Sequence, residues 1–151
     1  MPDTKITNGN NLGFWVHEIY MQLAYCYIYD ELIKPQYSIT NKDDMLYSIK
    51  FHINGYSTGI MSLGWENYTN SQSDKQMIIS VLQAVKTNLQ NKGAFIPITE
   101  LQAIPTEDDD FKIYYTDPFP TYQLIKIVDA LIEIIQGAWS STNYSMDIAY
   151  K

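Results

Sequence analysis

The sequence contains no arginine. All ten basic residues are lysine, set against 17 acidic ones, for a net charge of −7. That weighs against nucleic acid as a partner, because phosphate contacts need clustered cations and base reading leans on the arginine fork. The single cysteine, Cys26, excludes an internal disulfide. Two histidines, His17 and His52, with one thiol and scattered acids show no zinc-site spacing. Long hydrophobic runs are missing too. The most apolar window, 15–33, carries His17, Glu18, Gln22, Asp30 and Glu31, which would be costly in lipid, so no membrane span is expected. Residues 1–10 lack the apolar core of an export signal, and the cytoplasm is the expected compartment. No phosphate loop, dinucleotide fingerprint or zincin helix occurs, and no cofactor is expected.

What is present is an ordinary folded-domain composition, 46% hydrophobic and 18% charged over 151 residues. The charge is unevenly spread. Between Glu100 and Asp117 lie six acids and one lysine, a net of −5, while the other 133 residues carry eleven acids and nine lysines. One short segment owns most of the imbalance.

Residues 1–10 read as a flexible arm and 11–151 as one globular domain. Apolar positions from Leu12 to Lys34, with Glu18, Gln22, Tyr25 and Tyr29 on one stripe, predict a helix ended by Pro35. Residues 43–65 carry two signals. Leu46, Ile49 and Ile53 suit a helix capped by Asn41 or Asp43. Alternation of Tyr47, Ile49, Phe51 and Ile53, followed by Asn54-Gly55, suits a hairpin. Met77, Ile78, Val81, Leu82, Val85 and Leu89 predict a helix over 72–92, capped by Ser73 or Asp74 and stopped by Gly93. A short strand or packing loop at 95–98 and a helical turn at 99–103 follow. The acids 107–110 read as solvated loop, and 111–115 as a short strand. Leu124, Ile127, Val128, Leu131, Ile134 and Ile135 predict the clearest helix, over 120–136. The tail, 145–150, alternates like a strand. The expected fold is a single, helix-rich α+β domain with three to four long helices and a few short strands.

Candidate chemistry is thin. Gly55-Tyr56-Ser57-Thr58-Gly59 matches the G-x-S-x-G nucleophile elbow, yet both histidines precede Ser57, whereas the elbow's base follows it. Cys26 sits among apolar residues without a neighbouring base in sequence and reads as an inert core thiol. The consecutive acids Glu107, Asp108, Asp109 and Asp110 lack the alternate spacing of a calcium loop. With Asp117 they lie among Phe111, Tyr114, Tyr115, Phe119 and Tyr122. Aromatic anchors among acids suit a contact surface for a basic protein.

The expected function is therefore a non-enzymatic acidic protein-binding domain. Its general type is that of the bacterial immunity and antitoxin proteins, which neutralise a basic toxin or enzyme by occluding its site. The expected contact residues are Glu107, Asp108, Asp109, Asp110, Tyr114, Tyr115, Asp117 and Trp65. The alternative is a small-ligand-binding or regulatory domain with an aromatic-lined pocket. The surplus of apolar positions on the first helix also leaves room for a homo-oligomer face.

Overall fold

A computed structural model describes residues 3–56, 60–69 and 71–151. The chain begins with a hairpin, β1 (Asp3–Thr7) and β2 (Gly13–His17), which runs directly into α1 (Glu18–Leu32). The expected helix over 12–34 is thus shorter at its start. An apolar run such as Gly13-Phe14-Trp15-Val16 suits a helix or a buried strand equally, and pairing with β1 decides it. The expected flexible arm is corrected as well. Asp3–Thr7 is an inner strand of a four-stranded sheet, and Thr4 to Thr7 are buried. Gly13 is the tight point of that pairing, because a Cβ there would stand 1.9 Å from the Ile6 carbonyl oxygen.

α2 (Lys42–Ile53) resolves the double signal of the next segment as helix. Its buried residues are Met45, Ile49 and Ile53, at four-residue spacing. Asn54-Gly55 closes this helix instead of turning a hairpin. β3 (Ile60–Ser62) then returns to pair in parallel with β1, and a 3-10 turn follows at Trp65–Asn67. α3 (Gln72–Asn91) is capped by Ser71, whose side chain accepts from the Asp74 backbone N–H at 3.0 Å, not by Ser73 or Asp74.

β4 (Phe95–Ile96) and α4 (Ile98–Ala103) precede α5 (Asp109–Tyr114), which replaces the strand expected at 111–115. β5 (Phe119–Pro120) pairs antiparallel with β4 and leads into α6 (Thr121–Gln136), as the 3–4 spacing predicted. Thr121 Oγ1 donates to the Gly93 carbonyl at 2.5 Å, tying the start of α6 to the end of α3. In the tail only β6 (Tyr144–Ser145) forms a strand, parallel to β2.

The larger sheet therefore runs β3-β1-β2-β6. α3 and α6 pack along each other, and α1 packs on both and on α2. Eleven of the fifteen α1 residues are buried, which makes it the central helix its apolar sequence implied. One core joins sheet and helices, from Ile6 and Phe14 through Leu23 and Leu32 to Leu82 and Leu131. The fold is α+β and helix-rich. No helix among the described residues is long and apolar enough to cross a membrane.

Candidate functional site

The acidic run sits where α1, α2 and α5 meet. Asp108 caps α5, with its Oδ1 accepting from the Asp110 backbone N–H at 3.1 Å. Acids at 109 and 110 fill the first turn, where the free N–H groups of a helix favour negative charge. The loop leading to the cap is fastened to α2. Thr106 Oγ1 donates to the Ile53 carbonyl at 2.7 Å and accepts from the Asp108 N–H at 3.0 Å. Asn54 Oδ1 accepts from the Glu107 N–H at 3.1 Å, and the Tyr56 hydroxyl donates to Glu107 Oε2 at 2.9 Å.

α1 contributes the third tie. Gln22 Nε2 donates both to the Ile53 carbonyl, at 2.8 Å, and to Asp108 Oδ2, at 2.9 Å. Gly55 makes room for this arrangement. Its φ is +87°, and a Cβ there would stand 2.7 Å from Asp108 Oδ2. The acidic run is therefore braced; it is solvated as expected, but its last two residues belong to a helix and not to a loop.

The contact residues proposed from sequence divide. Glu107, Asp109 and Asp110 are exposed, and Asp108 is half-buried. Asp117 is exposed beyond the other end of α5, where its backbone exchanges hydrogen bonds with the Tyr150 hydroxyl. Tyr114 is half-buried, and its hydroxyl shares a hydrogen bond with that of Tyr20. Tyr115 and Trp65 are not surface anchors. Tyr115 has 0% of its surface exposed, with its hydroxyl donating to the Ile19 carbonyl at 2.7 Å. Trp65 is 2% exposed and belongs to the core. Both are large rings whose burial repays far more than partial contact at a surface would. Phe111 and Phe119 are buried with Tyr115, and neighbouring rings in this cluster lie 4.6 to 5.9 Å apart. The expected aromatic group around the acids is thus mainly a wall of the core.

Other aromatics take the surface role. Tyr47, Phe51 and Tyr56 are exposed, Tyr47 by 75%. Tyr47 and Phe51 are four apart on α2 and so share a helix face. The Phe51 and Tyr56 rings lie 5.2 Å apart, and Tyr56 holds Glu107. Ile113, on α5, is 71% exposed. The signal for Phe51 was present in sequence: once 42–53 is a helix with Met45, Ile49 and Ile53 inward, Tyr47 and Phe51 fall on the outer side.

The lysines leave this acid group alone. Lys112 turns its Nζ to the Gln102 carbonyl, at 2.5 Å, and to that of Ile104. Glu100, the first acid of the charged segment, pairs with Lys92 at 2.9 Å and accepts from the Tyr27 hydroxyl. None of the ion pairs among the described residues involves Glu107, Asp108, Asp109 or Asp110.

Between α1 and α5 a cleft of about 460 Å³ opens beside the run, lined in part by Glu18, Gln22, Asp108 and Asp110. A second cleft, of about 550 Å³, lies toward the other end of α1 and holds Cys26, Asp30, Glu31, Lys92 and Glu100. Burial pushes the Cys26 thiol up to about 12, which keeps it protonated and unreactive near neutral pH. His17 is exposed and lies 3.0 Å from Asp3, whereas His52, in α2, stacks on Tyr25 of α1, with ring centroids 5.3 Å apart. Ser57 of the G-x-S-x-G segment lies outside the described residues. No group of three or more histidine, cysteine or acidic side chains able to hold a metal ion occurs among the described residues. Compared with known protein families, curated proteins and solved structures, the chain matches none.

Proposed function

We propose that this chain is a non-enzymatic binding domain whose acidic face holds a basic protein. The observation that supports it most is the bracing of Glu107 to Asp110 against α1 and α2, next to exposed aromatic rings and outside every ion pair among the described residues. An interface held in place before association loses less entropy on binding. A concentrated single-sign patch also speeds the approach of an oppositely charged partner. Phe51, Tyr56 and Ile113 supply apolar contact area alongside the charge. In the narrower form of the reading, the partner is a toxin or enzyme with a cationic site. The acidic face occludes that site in the cytoplasm, in the manner of an immunity protein or antitoxin.

The test uses the purified product of the neighbouring gene, titrated by calorimetry at low and high salt. Glu107→Gln with Asp109→Asn should weaken binding about tenfold at low salt and flatten its salt dependence. Phe51→Ala should weaken it without altering the salt dependence. Equal affinities and equal salt slopes for wild type and the double variant would overturn the reading.

A further inference from the structure

The sequence holds two Asn-Gly pairs, Asn8-Gly9 and Asn54-Gly55. Such a pair is a reactive amide site, because a glycine carries no Cβ to hinder its nitrogen. That nitrogen can attack the asparagine side-chain amide carbon and expel ammonia. The two pairs share most of the conditions that govern the reaction. Both asparagines are half-buried and both glycines exposed, so water reaches each alike. Each asparagine Oδ1 accepts one backbone N–H, Asn8 from Glu66 at 3.2 Å and Asn54 from Glu107 at 3.1 Å. A donor there draws electron density from the amide carbon and steadies the negative oxygen that forms during attack.

They differ at the nucleophile. The Gly55 N–H donates to the His52 carbonyl at 3.0 Å, and the Tyr56 N–H to that of Phe51 at 3.4 Å, which closes α2. Swinging the Gly55 nitrogen toward the Asn54 side chain breaks that closure, along with the Asn54–Glu107 bond that braces the acidic run. Gly9 lies past the last paired residues of the β1–β2 hairpin, Thr7 and Gly13, and its N–H makes no hydrogen bond among the described residues. Side chains hold the loop around it instead. Asn10 Oδ1 accepts from the Leu12 N–H at 2.8 Å, and Asn11 Oδ1 from the Lys5 ammonium at 3.0 Å. Neither bond ties the Gly9 nitrogen.

We infer that Asn8 is a site of spontaneous deamidation in this chain, and that Asn54, with the same sequence signal, is protected by the end of α2. The Gly9 nitrogen forms a bond to Asn8 Cγ. The Cγ–Nδ2 bond breaks, and the amide nitrogen departs as ammonia with the proton that Gly9 gives up. Water then opens the cyclic imide. Attack at the Cγ carbonyl cuts the new bond and leaves aspartate. Attack at the main-chain carbonyl cuts the original peptide bond and leaves isoaspartate, with the backbone routed through the side chain. Either product sets a carboxylate next to Glu66, which packs so closely that a Cβ on Gly9 would stand 3.0 Å from its Cδ. Like charges there loosen the hairpin from the 3-10 turn at Trp65–Asn67, which carries the buried Trp65.

The test ages the full chain in mildly alkaline buffer, both folded and in urea, and follows the two sites by peptide mapping with mass spectrometry. Trypsin separates them, because Lys42 and Lys50 fall between. Fragment ions assign the mass gain of amide to acid to one asparagine and distinguish isoaspartate from aspartate. In urea the two sites should react at similar rates. In the folded chain Asn8 should outpace Asn54 by about tenfold or more, since a hydrogen bond that must break first is worth roughly a factor of ten in rate. Folded Asn8 should stay close to its rate in urea, whereas folded Asn54 should fall far below it. The aged chain should melt at a lower Tm than the fresh one. Asn8→Gln should keep its Tm on ageing, and Glu66→Gln should show a smaller loss.

Equal folded rates at the two sites, a faster Asn54, or an Asn8 that folding slows as much as Asn54 would overturn the assignment. A Tm that stays unchanged once Asn8 has converted, or an equal fall in Glu66→Gln, would overturn the repulsion from Glu66 as its consequence. An equal fall in Asn8→Gln would place the damage at another residue.

Discussion

The two ends of α1 carry two glutamates in opposite conditions. Glu31, 4% exposed in the last turn, is fully engaged. It accepts from the Tyr37 hydroxyl at 2.5 Å, the Lys34 ammonium at 2.9 Å and the Asn88 amide at 3.0 Å. Burial opposes its charge, yet these bonds prevail and hold its carboxyl below the ordinary range. Glu18, in the first turn, keeps a buried oxygen without a partner and is shifted the other way. Both stand in a cleft on the same helix. The larger cleft contains Glu31 and Glu100, each engaged by this chain's own donors; the smaller contains Glu18, one oxygen of which has no partner, beside an Asp108 that Gln22 and the Asp110 N–H already hold. Cleft size is therefore a poor guide to function here, and the state of the acceptors is a better one.

Removing Glu31 should have the largest effect. Glu31→Ala should cost about 2–3 kcal/mol in urea unfolding, because three donors lose a common acceptor. A loss no larger than that of an exposed glutamate would mean the network is not structural. Gly55→Ala comes next. Strain at positive φ, together with crowding of Asp108, should cost about 1–2 kcal/mol and disturb the Gln22 side-chain amide signal. Undisturbed Gln22 signals would show that the Asp108 position does not depend on Gly55.

Glu18→Gln should behave oppositely to Glu31→Ala. It relieves a buried carboxylate oxygen that has no hydrogen-bond partner, and with solvent screening allowed for, the gain is at most ~1 kcal/mol. Its pH dependence sharpens the point. A carboxyl raised in the folded state binds protons more readily there than when unfolded. Its contribution is favourable at low pH and is lost as pH rises through the raised value. The advantage of Glu18→Gln over wild type should therefore grow with pH through the carboxylate range and vanish at the acid end. A constant difference across pH would remove Glu18 as the source.

The smallest effect concerns the other buried polar atom without a partner among the described residues, His52 Nδ1. Burial lowers the His52 value from 6.5, so the unfolded chain takes up the proton first. Stability should be fully present above that ordinary value and decline as pH falls through the lowered one. His52→Phe, which keeps a ring against Tyr25, should remove that decline; an unchanged profile would acquit His52.

Much of the scaffold was legible because α3 and α6 bury one face at 3–4 spacing, and periodicity survives without knowledge of neighbours. The corrected regions share a different cause. β1 and the start of β2 take their form from each other and from distant strands, and no local pattern records such pairing. α5 did leave a local sign: Asp108 stands as a cap before two acids, with Phe111 and Tyr115 four apart. At the site, charge position was legible and aromatic exposure was not. Tyr115 and Tyr56 look alike in sequence, and only the packing of α1 against α5 and α2 sends one ring inward and leaves the other outside.

The sheet order has a consequence for how the molecule assembles. β1 and β2 can meet as a hairpin at once, but β3 must return past α1 and α2, and β6 arrives only after α6. Contacts between segments so far apart in the chain close late, because loop entropy is lost before they reward it. Until then the hairpin presents two open edges, one on each side, each able to pair with the wrong strand. Refolding yield should therefore fall with protein concentration more steeply than the stability of the finished fold would suggest.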